Sequence, residues 1–224
     1  MSKKSYYICG SVFAVLSVIF AVLVKTVDVG VWEKTGEKMG LLTVNAAFHK
    51  LTGTSDFWYE LTNKMGIASI VFGLLFMFYG GIVLLKRRSF RKVDRYIYAL
   101  GFLYVILGGI YVVFEKVIIN YRPIILEGDT RAEASFPSSH TLLITTIIIT
   151  AAITVSRLLK GKKALQITVW AVASCFTALG ITGRLLSGYH WLTDIIASLL
   201  ISAALVFFYA GASKEKDGKL AEKP

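Results

Sequence analysis

Six long apolar blocks constrain the fold of this chain more than any other feature of its sequence. They cover residues 6–24, 67–85, 96–114, 141–155, 164–181 and 191–209. A bilayer core about 30 Å thick takes roughly 20 helical residues to cross, and lipid cannot satisfy unpaired backbone polar groups. Because 55% of all residues are hydrophobic and only 17% are charged, we expect an all-α integral membrane protein with six transmembrane helices.

The basic residues predict the orientation of these helices. Sixteen of the 25 Lys and Arg residues fall in the two termini and in the loops after the second and fourth blocks. The positive-inside rule therefore places both termini in the cytoplasm. The net charge of +11 is attributed to this asymmetry, and no nucleic-acid partner is expected. We expect one domain over residues 1–212 and a polar, disordered cytoplasmic tail over residues 213–224.

Three segments face outward in this orientation, residues 25–66, 115–140 and 182–190. The first mixes charged residues with aromatic ones, a composition typical of the membrane interface. We expect short interfacial helices there, between the first and second transmembrane helices. His49 belongs to this segment and is interpreted as a structural residue.

Polar clusters occupy the outward ends of the apolar blocks. They read KVIINYRP at 116–123, SFPSSHT at 135–141 and GRLLSGYHWLTD at 183–194. Ionisable groups at the end of a membrane span are costly unless they have partners or a function. His190 and Asp194 are four residues apart, so they share a helix face and the carboxylate can orient the imidazole. His190 is therefore a candidate nucleophile, with Asp194 as its partner.

The basic residues of the clusters suit a phosphate ligand. Arg122 and Arg184 carry planar guanidinium groups that match phosphate oxygens, whereas Lys116 offers a compact point charge. We therefore expect these three side chains to bind the phosphate of a substrate.

The middle cluster stands directly before a long helix. The first backbone N–H groups of a helix and the positive end of its dipole form an anion site. Ser138 and Ser139 are therefore candidate phosphate ligands, and His140 is a candidate acid for the departing oxygen. Taken alone, Pro-Ser-Ser before a helix is more often only a helix cap.

Together, the clusters closely resemble the three-part signature of the type 2 phosphatidic acid phosphatase (PAP2) superfamily, which reads K-x6-R-P, P-S-G-H and S-R-x5-H-x3-D. The matching residues are Lys116, Arg122 and Pro123, then Pro137, Ser138 and His140, then Arg184, His190 and Asp194. The resemblance implies a PAP2/haloperoxidase-like helical bundle. It also implies attack on phosphorus by the last histidine, proton donation by the middle histidine, and a reaction that needs neither metal nor cofactor.

This sequence departs from the signature at three positions. Only five residues separate the lysine from the arginine, so either the loop is one residue shorter or Glu115 takes the place of Lys116. The shorter loop is favoured because a glutamate would repel phosphate. Ser139 replaces a glycine, which either adds a hydrogen-bond donor or requires a different turn. Gly183 replaces a serine and removes a hydroxyl group.

The expected function is hydrolysis of a lipid phosphate or diphosphate ester on the extracytoplasmic side of the plasma membrane. Among the substrates that the PAP2 resemblance implies, undecaprenyl diphosphate is favoured because of the outward-facing site, and phosphatidylglycerophosphate or phosphatidic acid is the alternative. The lipid substrate and the bilayer are the expected partners, without an obligate protein partner. A lipid-translocating protein would instead place charges near the bilayer midplane, and a non-catalytic lipid-binding protein could dispense with His190 or Asp194.

Overall fold

The computed structural model describes residues 1–88 and 93–214 and consists mainly of helices. In chain order the elements are α1 (Lys3–Thr26), β1 (Gly30–Val31), β2 (Lys38–Met39), α2 (Leu42–Thr52), α3 (Asp56–Arg87), α4 (Arg95–Lys116), α5 (Ser139–Leu158), α6 (Lys163–Ser187) and α7 (Leu192–Ser213). The two strands form an antiparallel ribbon in which Gly30 pairs with Met39 and Val31 with Lys38.

Six of these helices, α1 and α3 to α7, are long and apolar enough to cross a membrane. The predicted all-α architecture with six spans is confirmed. Between the first two spans the described chain contains one short helix, α2, and the β1–β2 ribbon, which the sequence analysis did not anticipate. Residues 215–224, most of the predicted tail, lie outside the described residues.

Two helices, α3 and α6, extend furthest beyond the predicted apolar blocks. Helix α3 begins at Asp56 rather than at residue 67, and α6 continues to Ser187 rather than ending at residue 181. Hydropathy marks only the part of a helix that lipid surrounds, whereas the helix itself continues wherever its backbone bonds are favourable. In α3, Asp56 lies at the positive end of the helix dipole and Glu60 pairs with Lys64 at 3.6 Å. Residues predicted to lie in outward loops are therefore helical.

Helices α5 and α7 form the centre of the bundle. Half of the apolar stretch of each is buried in the protein (50%), compared with 11–17% in the other four spans. Helix α7 packs against α1, α4 and α5, and α5 packs against α3, α6 and α7. Buried hydroxyl groups bridge the central pair, since Thr146 Oγ1 donates to Ser202 Oγ at 3.1 Å.

One end of the bundle, here called the site end, collects the starts of α3, α5 and α7 and the end of α6. The Ser138 amide donates to the Asp194 carbonyl at 3.1 Å, and the Ser55 amide donates to the Ser187 carbonyl at 2.9 Å. Helix α2 covers this end through Asn45, whose amide nitrogen donates to Thr193 Oγ1 at 3.0 Å. Backbone and side-chain bonds therefore hold the helix ends in fixed relative positions.

Candidate active site

His190 and Asp194 lie together at the start of α7. The His190 Nδ1 atom is 3.1 Å from the Ser135 carbonyl oxygen and 3.4 Å from Asp194 Oδ2. Both oxygens can only accept hydrogen bonds from it, so Nδ1 carries the ring proton and Nε2 keeps its lone pair. Asp194 Oδ2 also accepts the Trp191 amide at 2.9 Å, which fixes the carboxylate. The His190 Nε2 atom is buried and has no hydrogen-bond partner within the described part of the chain.

Groups from all three sequence clusters lie close enough to His190 to shift its pKa. Burial lowers the pKa of His190 well below 6.5, and the positive charges of Arg184 and Arg122 and the nearby His140 lower the pKa further. The hydrogen bond to the Ser135 carbonyl opposes these effects. His190 is therefore a neutral imidazole at neutral pH, with one basic nitrogen available.

Arg184 is almost completely buried near the end of α6, with 1% of its surface exposed. Its Nη2 atom is 2.8 Å from His140 Nδ1. A guanidinium can only donate, so Nδ1 of His140 accepts, and the neutral ring carries its proton on Nε2. Arg184 and His140, which are far apart in sequence, thus form one hydrogen-bonded pair.

Arg122 reaches the site from the segment between α4 and α5. An isolated β-bridge joins Tyr121 to Ala134, and the Arg122 amide donates to the Glu133 carbonyl at 2.9 Å. The side chain is 13% exposed, and its Nε lies 3.2 Å from Glu133 Oε2. Its Nη1 atom is buried and has no hydrogen-bond partner among residues 1–88 and 93–214. Arg122 therefore holds a donor that the described part of the protein leaves unsatisfied.

Ser138 and Ser139 begin α5 in different ways. Ser138 is fully buried, and its hydroxyl lies 3.1 Å from Thr141 Oγ1. Because its amide donates to the Asp194 carbonyl, Ser138 joins the starts of α5 and α7. Ser139 is half-buried, with its hydroxyl 3.4 Å from His140 Nδ1. It has helical backbone geometry, so a serine fits here without a left-handed conformation.

Lys116 is not among the side chains that this cluster brings together. It is the last residue of α4 and is exposed, as is Glu115. Within the described residues, Lys116 has no hydrogen bond or ion pair. The structure therefore does not distinguish the two alignments of the first motif, and a phosphate-binding role for Lys116 stays a prediction.

The first two turns of α3 contribute contacts that sequence reasoning missed. Arg184 Nη1 donates to Thr62 Oγ1 at 2.9 Å and to Asn63 Oδ1 at 3.0 Å. The Tyr59 ring lies 5.0 Å from the guanidinium carbon of Arg184. These residues were assigned to a loop, and no local pattern distinguishes them, because their role depends on how α3 approaches α6.

That approach explains the glycine at position 183. A Cβ atom there would lie 2.8 Å from Thr62 Cγ2 and 2.9 Å from Trp58 Cε3, closer than side-chain atoms pack. A serine would therefore push α3 away from α6. In this chain the glycine permits the close approach that brings Thr62 to Arg184.

Among residues 1–88 and 93–214, no group of three or more His, Cys, Asp or Glu side chains has an arrangement that could hold a metal ion.

The fold and the cluster together define a class: a multi-pass membrane protein with two histidines, two arginines and an aspartate gathered at one end of its bundle. The PAP2 superfamily model matches residues 98–216, more than half of the chain, and the chain belongs to this superfamily. No curated protein matches the sequence.

A solved structure shares the fold. It is described as the first transmembrane PAP2 type phosphatidylglycerolphosphate phosphatase from Bacillus subtilis, and it has a TM-score of 0.60 to this chain. The match covers 91% of this chain and 94% of that chain at 15% sequence identity. The PAP2-type fold expected from the sequence is confirmed.

Proposed function

We propose that this protein is a lipid phosphatase that hydrolyses a phosphate or diphosphate ester through a phosphohistidine on His190, without a metal ion. The observation that carries the proposal is a set of unpaired buried atoms. Among the residues that the structure describes, none makes a hydrogen bond to the buried His190 Nε2, Arg122 Nη1 or Arg184 Nε atom. Unpaired buried polar groups are costly, and a nucleophilic nitrogen beside guanidinium donors suits a phosphoryl group.

In the first step, His190 Nε2 attacks phosphorus and the bond to the leaving oxygen breaks. The proton on Nδ1 remains directed at the Ser135 carbonyl and at Asp194, 3.1 Å and 3.4 Å away. The ring gains positive charge as the new P–N bond forms. The Asp194 carboxylate stabilises that charge and holds the ring in the reactive tautomer.

The two arginines stabilise the phosphoryl oxygens during this step. Arg184 Nε and Arg122 Nη1 can each donate a hydrogen bond to a nonbridging phosphoryl oxygen, which carries negative charge in the transition state. The amides at the start of α5, including those of Ser139 and His140, precede the first complete turn and can donate to the same oxygens.

His140 supplies the proton to the leaving oxygen. When a bound phosphate favours the imidazolium form, His140 Nδ1 gives up the hydrogen bond that it accepts from Arg184 Nη2 in the neutral ring. The ring then donates its Nε2 proton to the leaving oxygen and becomes neutral. The neutral ring then accepts a proton from water as the water oxygen attacks phosphorus. The P–N bond breaks, inorganic phosphate forms, and the lone pair returns to His190 Nε2.

Topology supports undecaprenyl diphosphate as the first substrate to test. The positive-inside rule favours an extracytoplasmic orientation of the site end, where the headgroup of this lipid can be recycled. Phosphatidylglycerophosphate is the second substrate to test, since the similar solved structure is described as a phosphatase for that lipid. The apolar tail of either lipid can remain in the bilayer while its headgroup enters the site.

Phosphate release by the purified protein in detergent tests the proposal. We expect hydrolysis of at least one of undecaprenyl diphosphate, phosphatidylglycerophosphate and phosphatidic acid, in the presence of a chelator. His190→Ala should abolish it. Loss of wild-type activity on chelation would contradict the metal-free mechanism, and an active His190→Ala variant would remove the proposed nucleophile.

His49 provides the matched control. It is a buried histidine with 4% exposure, and both of its ring nitrogens lack hydrogen-bond partners. It packs edge-on against Trp32 and Trp191, with ring centroids 5.8 Å and 5.6 Å away. His49→Phe should therefore keep the aromatic packing and retain activity, which separates loss of the reactive imidazole from loss of a buried ring.

A further inference from the structure

We propose that Thr62 and Asn63 of α3 are positioning residues for Arg184, and that they decide which edge of its guanidinium faces the substrate phosphate. This inference rests on the proposed phosphatase function. It assigns a role to a helix start that lies outside all three signature motifs.

The contacts to one nitrogen of Arg184 carry the inference. Nη1 donates to Thr62 Oγ1, 2.9 Å away, and to Asn63 Oδ1, 3.0 Å away, and makes one longer contact with the Tyr59 carbonyl at 3.5 Å. The Thr62 hydroxyl donates a hydrogen bond to the Trp58 carbonyl at 2.7 Å. With that proton committed, the oxygen can only accept from Arg184.

Saturating Nη1 leaves the opposite edge of the guanidinium for chemistry. That edge consists of Nε, which is buried without a hydrogen-bond partner, and Nη2, which contacts His140 Nδ1 at 2.8 Å. A guanidinium binds phosphate best through two parallel N–H groups on one edge. The two α3 residues therefore direct this pair of donors toward the site that His140 also faces.

The start of α3 is itself held firmly against the turn that carries His190. Tyr189 Oη donates to Asp56 Oδ1 at 2.6 Å, and the Tyr189 and Tyr59 rings stack with centroids 3.8 Å apart. The Ser55 amide donates to the Ser187 carbonyl at 2.9 Å. The start of α3 thus holds both Arg184 and the turn that carries His190. Their relative position is therefore fixed before substrate binds.

Two substitutions at position 62 separate the hydroxyl from the shape of the side chain. Thr62→Val keeps the branched shape and removes the acceptor, whereas Thr62→Ser keeps the acceptor. We expect Thr62→Val to lower kcat/KM for the lipid phosphate roughly 10- to 100-fold, the effect of one hydrogen bond to a charged group. The inhibition constant of inorganic phosphate should rise in parallel. Thr62→Ser should restore both values to near those of the wild type.

Thr150→Val is the matched control. Thr150 is fully buried on α5, and its hydroxyl donates to the Thr146 and Ile147 carbonyls of its own helix. The substitution makes the same chemical change in the same kind of environment, without touching Arg184. We expect it to leave the phosphate inhibition constant unchanged, even if it changes the melting temperature.

An Arg184→Lys background supplies a readout that a purely structural role would not move. If Thr62 acts through the guanidinium, Thr62→Val should have little further effect on kcat/KM once that group is gone. Asn63→Leu, which removes the second acceptor, should raise the phosphate inhibition constant in the wild-type background and provides an independent test at a half-buried position.

The outcomes separate this inference from the proposed function. Equal phosphate inhibition constants for Thr62→Val, Asn63→Leu and Thr150→Val, in a wild type that hydrolyses lipid phosphate, would overturn the positioning role alone. Full additivity with Arg184→Lys would also overturn it. A wild-type protein that hydrolyses none of the lipid phosphates would overturn the proposed function and this inference with it.

Discussion

Gly66 of α3 lies directly beneath the ring of His140, so an alanine there should displace the proposed acid. A Cβ atom at position 66 would lie 2.4 Å from His140 Cδ2 and 3.2 Å from His140 Nε2. Carbon atoms in contact normally stay about 3.5–4.0 Å apart, so the ring must move by about 1 Å. A displacement of that size can reduce turnover about 100-fold, and we expect that loss in kcat/KM for Gly66→Ala.

Stability should change less than activity in this variant. Overpacking costs about 1–3 kcal/mol, while alanine recovers about 1 kcal/mol of helix propensity relative to glycine. Gly73→Ala on the same helix is the control, because the nearest atoms to its added Cβ are at 3.5 Å, an ordinary contact. Phosphate release and the melting temperature in detergent should be measured for both. A folded Gly66→Ala variant with wild-type kcat/KM would refute the reasoning.

Three further perturbations test other parts of the site. Asp194→Asn should lower kcat about 100-fold or more with lipid affinity largely kept; a wild-type kcat would show that the carboxylate does not stabilise His190. Gly183→Ser, although it restores the superfamily residue, should lower both activity and melting temperature, because its Cβ would lie 2.8 Å from Thr62. Because the pKa of His190 is lowered well below 6.5, the nucleophile stays unprotonated as the pH falls through 6.5. After correction for substrate ionisation, the fall of kcat/KM on the acid side should therefore begin only below pH 6.5, and an acid-side midpoint at 6.5 would contradict this.

The six membrane spans and the grouping of most candidate site residues could be predicted from the sequence, because both depend on short-range patterns. Apolar runs of bilayer length predict helices, and the spacing of His190 and Asp194 predicts a shared helix face. Arg122, Arg184 and His140 could be grouped with them because they belong to motifs at the same predicted ends of spans.

The contribution of α3 could not be read in the same way. Thr62, Asn63 and Gly66 act through the close approach of α3 to α5 and α6, a tertiary property that leaves no periodic signal. Hydropathy also placed these residues in a loop, because the helix continues into its polar first turns. The β1–β2 ribbon escaped detection because two-residue strands are too short to show alternation.

Lys116 belongs to a sequence motif, but the structure places it outside the cluster of the other candidate site residues. It is exposed at the end of α4, where a long side chain gains freedom that a phosphate contact would have to restrict. Spacing alone could not decide between Lys116 and Glu115, since both lie in the same exposed last turn.

The proposed mechanism is tested most directly by trapping a covalent phosphoryl group on His190. The protein should be mixed with a lipid phosphate carrying a radioactive phosphorus, quenched in alkali within one turnover, and digested for peptide mapping. A phosphohistidine on His190 should give an acid-labile label on the peptide that contains this residue, present in the wild type and lost in His190→Ala. Lipid phosphate hydrolysis with no label on that peptide in rapid-quench samples, or with the label on a different residue, would contradict it.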